Sequence, residues 1–294
     1  MNIQGLGVAM ITPLTKEGEI DFQALKEITE RQISGGVDFL VVMGTTGESV
    51  TLELSEKRKV LDTVLSVNSK RIPIIYGLGG NNTKAVVSEL KTFNLEGVSA
   101  ILSVSPSYNK PTQEGIFQHF KHISEASPVP VMVYNVPGRT ASNVTAETCL
   151  RIAHELPNVF SVKEASGDLD QIKSIITHAP EGFLIFAGDD GLAIPVIKAG
   201  GAGVISVVGN ALPKMFSELV TSAMNDEWIK AKELDQLFQP LIPLLFKEGN
   251  PAGIKAIMEI NGECTSVVRL PLMEASSRLK EELKLQLQSF QTVV

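Results

Sequence analysis

Cysteine is nearly absent from this chain. The two that occur, Cys149 and Cys264, lie far apart and form neither a metal-binding nor a redox spacing. Such a pair suits a reducing compartment, with both thiols free and expected to be buried. Histidine is scarce, at four residues, and none sits in a cluster with carboxylates, so no metal centre is expected. No run of Lys and Arg stands out, and the formal net charge is −7 with a pI near 5.3. That balance argues against nucleic acid or an anionic membrane as a partner. No apolar run approaches the length of a membrane-spanning helix. The first residues, Met1 to Leu6, lack the basic start of a secretory leader, and the apolar run at 8–11 ends at Thr12-Pro13. A cytoplasmic location is the expectation. Low-complexity linkers are also missing.

What remains is ordinary globular composition, 44% hydrophobic and 20% charged over 294 residues. That length fits one large α/β domain or two medium ones. Apolar stretches at 6–12, 39–43, 72–78, 98–104, 129–136, 183–187 and 203–208 read as strands, with an eighth in Val159 to Gly167. Between them lie segments of helical spacing. Asp21 and Ser55 are read as caps of the first two, and Thr83, Thr112 and Thr145 open later ones. The strands are apolar with little alternation, which means cover on both faces and a parallel sheet. Eight strand–helix units predict a closed (β/α)8 TIM barrel; a doubly wound open sheet is the alternative. No Gly-x-Gly-x-x-Gly turn follows the first strand, which weakens a dinucleotide-binding version of that sheet. After Asn210 only helices follow, at 213–224, 227–238, 251–260 and 276–288. The reading is a catalytic barrel over 1–224 and a C-terminal helical extension over 225–294, packed on the barrel's side.

One strand carries a lysine in its middle. Val159, Phe160 and Val162 make the stretch apolar, and Lys163 follows. An ammonium there is costly to desolvate. The escapes are an ion pair, snorkelling to water, or loss of the charge. Glu164 is adjacent, but strand alternation points it to the other face. A lysine amine held as the free base condenses with ketones to form a Schiff base. Taken alone, Lys163 is better read as a structural lysine.

In a barrel the active site lies at the carboxyl ends of the strands. Those ends carry Thr45 and Thr46 after the second strand, Tyr108 after the fourth, Tyr134 late in the fifth, Arg139 just beyond it, and Lys163. Each has a plain alternative. The threonines fit a glycine-rich turn, Tyr108 a loop cover, Tyr134 barrel filling and Arg139 the surface. Their convergence around one lysine favours function.

Gly44-Thr45-Thr46-Gly47-Glu48-Ser49, Tyr134-Asn135-Val136-Pro137-Gly138-Arg139-Thr140 and Val162-Lys163-Glu164-Ala165-Ser166-Gly167 resemble three signature segments of the dihydrodipicolinate synthase family. Ser105 to Pro111 and Gly188-Asp189-Asp190 match in order and spacing. The wider group is the pyruvate-dependent class I aldolases and lyases, and the likeness spans essentially the whole chain.

The resemblance implies a pyruvate Schiff base on Lys163 that attacks L-aspartate 4-semialdehyde. It implies a proton relay of Tyr134, Thr45 and Tyr108. Thr46 and its turn would hold the pyruvate carboxylate, Arg139 the carboxylate of the semialdehyde, and the Ile205 carbonyl would face the site. No cofactor is implied. In the family the tyrosine matching Tyr108 enters the neighbouring subunit's site, so a homodimer or a tetramer is expected. The effector cleft of lysine-inhibited relatives maps to Ser49, Val50, Leu54, Lys57, Asn81, Ala85 and Ser107. Here it lacks their carboxylate, histidines and ring, so insensitivity to lysine is expected. Two rivals stay open. An N-acetylneuraminate lyase or sugar-acid aldolase usually differs at the positions of Arg139 and Thr45. A non-catalytic keto-acid sensor would not need a buried amine.

Overall fold

The computed structural model describes residues 3–291; residues 1–2, where the leader reading begins, and the last three of the extension lie outside the described residues. Eight parallel strands close into a barrel in the order β1-β2-β3-β4-β5-β6-β7-β8, as the alternation of apolar strand and amphipathic helix predicts. They are β1 (Gly5–Ala9), β2 (Phe39–Val42), β3 (Ile74–Gly77), β4 (Ala100–Val104), β5 (Val131–Asn135), β6 (Val159–Glu164), β7 (Leu184–Ala187) and β8 (Gly203–Ser206). The helices interleaved with them are α1 (Phe22–Ser34), α2 (Leu54–Asn68), α3 (Thr83–Thr92), α4 (Gln113–Ala126), α5 (Pro137–Thr140), α6 (Ala146–Glu155), α7 (Leu169–His178) and α8 (Ala193–Lys198). After β8 come α9 (Pro213–Met224), α10 (Trp228–Phe238), α11 (Leu241–Phe246), α12 (Ala252–Ile260) and α13 (Ser277–Gln291).

The strands are shorter than the apolar runs that announce them. Met10, Ile11 and Thr12 are buried yet lie beyond β1, because burial continues into the loop after ladder pairing stops. The cap of α2 is Glu53, not Ser55. Its backbone N–H donates to Glu56 Oε2 at 2.8 Å, the return half of a capping box. Two short helices, α5 and α11, carry no sequence period long enough to announce them. Cys149 is buried as expected, but Cys264 is only half-buried.

The chain forms two compact units, one comprising Pro73–Ile205 and the other Gly5–Ile72 with the segment from Ser206 onward. The first holds β3 to β7. Its ladder steps regularly except at one place: Val131 pairs with Val159, but Met132 pairs with Ser161, so Phe160 is an extra residue in β6. The second unit holds β1 and β2 and the late helices. There the ring of Phe238 meets Phe216 edge to face and Phe290 at a tilt, with centroids 5.0 and 5.2 Å apart, a column of rings joining α9, α10 and α13.

Phe238 is fully buried at the centre of that cluster. Phe238→Ala is expected to lower the unfolding free energy by about 3–5 kcal/mol, read as a drop in the urea midpoint at unchanged slope.

Candidate active site

The register of β5 and β6 sets two residue pairs side by side, Tyr134 with Lys163 and Asn135 with Glu164. Neighbours in register share a face, and successive residues alternate. Lys163 is 5% exposed, and its Nζ sits 4.5 Å from the centroid of the Tyr134 ring. The electron-rich ring face is a soft environment for an amine, charged or neutral, where a carboxylate would lock the ammonium form.

The second pair, on the opposite face, is a buried polar network. Glu164 accepts from Asn135 Nδ2 at 3.0 and 2.9 Å, from Gln171 Nε2 at 2.8 Å, and from the Ser166 backbone N–H at 2.8 Å. Asn143 Nδ2 donates to Gln171 Oε1 at 2.7 Å, which extends the net to the loop before α6. Burial pushes the Glu164 carboxyl above its ordinary range, and the donors pull the other way. The alternation argument that turned Glu164 away from Lys163 agrees with this geometry.

Past the end of β7, Gly188 leaves no room for a side chain, since a Cβ there would lie 2.4 Å from the Ala165 Cβ. That close approach sets the following residue, Asp189. Burial raises the Asp189 carboxyl, and the charge of Lys163 partly offsets the rise. The two groups therefore feel one another. Ile205 is fully buried in β8.

Arg139 is exposed on α5, the single turn that follows Pro137. Tyr108 is 89% exposed at φ +70°, a left-handed conformation that costs a β-carbon-bearing residue. Its loop is tied at several points. The Tyr108 backbone N–H donates to the Thr140 carbonyl at 3.3 Å, and Asn109 and Asn81 bind across the loop base. Within this unit, then, Lys163, Tyr134 and Asp189 come together, while the Tyr108 side chain stands out in solvent.

The double threonine follows β2 in the other unit. Thr45 is half-buried and Thr46 is 2% exposed, both in a single 3-10 turn. Asn250 Nδ2 donates to Thr46 Oγ1 at 2.9 Å. Glu48, two residues on, adopts φ +55° and is buried. Its carboxylate accepts from Lys255 Nζ at 2.5 Å and from the Arg269 backbone N–H at 2.8 Å. Lys255 is fully buried in α12 and also donates to the Val267 carbonyl at 2.8 Å. Burial lowers the Lys255 amine, and Glu48 counters that effect.

Sequence reasoning did not single out Asp189, Asn250 or the Glu48–Lys255 pair. Lys255 gave the same signal as Lys163, a lysine inside an apolar segment, Ile254-Lys255-Ala256-Ile257-Met258. Among the described residues no cluster of histidine, cysteine and carboxylate fit for a metal occurs. No helix among them is long and apolar enough to cross a membrane.

Residues 2–290 match the model of the dihydrodipicolinate synthetase family. A 4-hydroxy-tetrahydrodipicolinate synthase of Flavobacterium psychrophilum is 48% identical over 281 residues, covering 96% of each chain. The crystal structure of a dihydrodipicolinate synthase from Thermotoga maritima superposes with a TM-score of 0.95 at 39% identity, covering 98% of this chain and 99% of that one. A monomeric dihydrodipicolinate synthase variant superposes equally well, at 39% identity, over 97% of this chain and 96% of the other.

The Lys255–Glu48 pair supports a stability test. Lys255→Met strands a buried carboxylate and is expected to cost about 3–5 kcal/mol in urea unfolding. Glu48→Gln combined with Lys255→Met should recover part of that loss, because no buried charge is then left alone.

Proposed function

Because the chain belongs to the dihydrodipicolinate synthetase family, whose members are enzymes of the class I aldolase and lyase type, we propose that it is a 4-hydroxy-tetrahydrodipicolinate synthase. It condenses pyruvate with L-aspartate 4-semialdehyde in the diaminopimelate route to lysine. The observation that carries this reading is Lys163, nearly buried in β6 with its amine over the Tyr134 ring. The free amine adds to the ketone carbon of pyruvate, and loss of water leaves an iminium. That group is an electron sink, so a methyl proton departs and an enamine forms. The enamine carbon bonds to the aldehyde carbon of the second substrate. The amine of that substrate then adds to the iminium carbon and expels Lys163, closing a six-membered ring.

Several protons move in this sequence, and we assign them to a relay of Tyr134, Thr45 and Tyr108. Tyr108 serves a neighbouring subunit in this reading, which its exposure on a tied loop supports. The active form is then a homodimer, or a tetramer of two dimers. Thr46 with its turn holds the keto-acid carboxylate, and the Ile205 carbonyl faces the site. Arg139 holds the carboxylate of the semialdehyde, where a guanidinium fork fits a planar acid. The reading needs no cofactor. The catalytic barrel spans 1–224 and the helical extension 225–294, in the cytoplasm.

Borohydride reduction in the presence of pyruvate, followed by peptide mass mapping, is expected to place the reduced pyruvyl mass on Lys163. Label on Lys255 instead would overturn the assignment. Arg139→Ala should still be labelled by pyruvate, but its KM for the semialdehyde should rise roughly ten- to a hundredfold. Equal effects on both substrates would remove the role given to Arg139.

Insensitivity to lysine is also proposed. At the effector positions the chain has Ala85 in place of a carboxylate, Leu54 and Lys57 in place of histidines, and Ser107 in place of an aromatic ring. A lysine ligand would meet a cation and no anion. Losing one charged contact costs about 1.5–3 kcal/mol, about ten- to a hundredfold in binding at about 1.4 kcal/mol per decade, and the like charge of Lys57 adds to it. Initial rates at saturating pyruvate should hold as lysine enters the millimolar range. Half-inhibition below about 1 mM would show that the cleft has been misread.

A further inference from the structure

Thr46 and Asn250 form an isolated pair of buried polar side chains, 2% and 6% exposed. A threonine hydroxyl has one proton to give and two lone pairs to offer. Asn250 Nδ2 occupies one lone pair at 2.9 Å. The hydroxyl proton therefore cannot lie along the Asn250 direction and is left to donate elsewhere. The other end of the amide, Oδ1, is buried with no hydrogen-bond partner among the described residues. The opposite amide orientation would leave N–H donors stranded instead, and a buried orphan donor is rarer than an under-satisfied carbonyl oxygen. The amide is thus held as a donor to Thr46.

The segment that carries Asn250 is itself anchored to the same turn. Lys255, in the first part of α12, grips Glu48, two residues beyond Thr46. Asn250 and Lys255 together fix both ends of Thr46-Gly47-Glu48, so the hydroxyl has little freedom to find another partner.

We propose that Asn250 is a positioning residue that sets the polarity of Thr46, making its hydroxyl a dedicated proton donor to the carboxylate of the keto acid. This rests on the reading of Thr46 as the carboxylate holder. It adds a specificity: the site favours an ionised acid over its amide or ester, because a fixed hydroxyl donor bonds a charged carboxylate oxygen more strongly than a neutral carbonyl.

Steady-state kinetics of the full chain test this with Thr46→Val, Asn250→Ala and Asn250→Asp, from about pH 6 to 9. An ionised aspartate at 250 accepts the Thr46 proton and turns the hydroxyl away. Asn250→Asp should raise the KM for pyruvate roughly tenfold or more at high pH, with the KM for the semialdehyde little changed. As the new acid becomes protonated it can donate to Thr46 again, so the KM should fall back toward the parent value at low pH. A purely structural defect would not produce that recovery, and a rise that is constant with pH would overturn the proposal. Should Asn250→Asp fail to fold, the cycle of Thr46→Val and Asn250→Ala decides. The effect of Asn250→Ala on the pyruvate KM should vanish when Thr46 is already valine, and additivity overturns the proposal. If Thr46→Val raises the KM and neither Asn250 variant does, the inference fails while the carboxylate reading stands. If Thr46→Val leaves the KM unchanged, both fall.

Discussion

Glu164 holds β5 and β6 in the register that lays Lys163 beside Tyr134. The carboxylate accepts from Asn135 on one strand, from the Ser166 N–H just past its own strand, and from Gln171 on α7. A buried carboxylate is expensive, and its cost rises if any donor slides away. A shift of β5 against β6 would break the Asn135 contacts and, in the same step, part the ring from the amine. The Asn135–Glu164 face therefore keeps the Tyr134–Lys163 face in order.

Two lysines lie buried in apolar segments, and the chain resolves their costs in opposite ways. Lys255 meets Glu48 at 2.5 Å, an opposite charge that counters the burial lowering its amine. Lys163 meets an aromatic ring and feels the charge of Asp189, which itself carries a raised carboxyl. The two amines thus differ in what they face more than in how deeply they are buried.

The fold was legible because its signals are local. Apolar strand cores, Asp21, Thr112 and Thr145 as caps, and the run of eight units depend on residues near one another in sequence. Lys163 and Tyr134 were legible for the same reason, each standing out within its own strand. The supports of the candidate site were not. Asn250 reaches Thr46 across 204 residues and Lys255 reaches Glu48 across 207, distances over which no periodicity carries information. Ser55 was mistaken for a cap because serine is the commoner choice, whereas Glu53 and Glu56 close the box between them. That Tyr108 points away from its own barrel was implied by the family resemblance, but its left-handed backbone was not visible, since it has no composition signature.

The extra residue in β6 has an evolutionary consequence. Pairing of β5 and β6 is regular from Met132–Ser161 to Asn135–Glu164, and Phe160 sits just upstream as the unpaired residue. Facing in a strand has a period of two, so one inserted or deleted residue would ordinarily turn every later side chain over. Here the orientation of Lys163 is keyed from its carboxyl-terminal side, where Glu164 is anchored to Asn135. Length changes in the turn at Pro157-Asn158 or at Phe160 can be taken up before they reach the lysine. The β6 strand can thus drift in length at its entry across descendants while Lys163 keeps its heading.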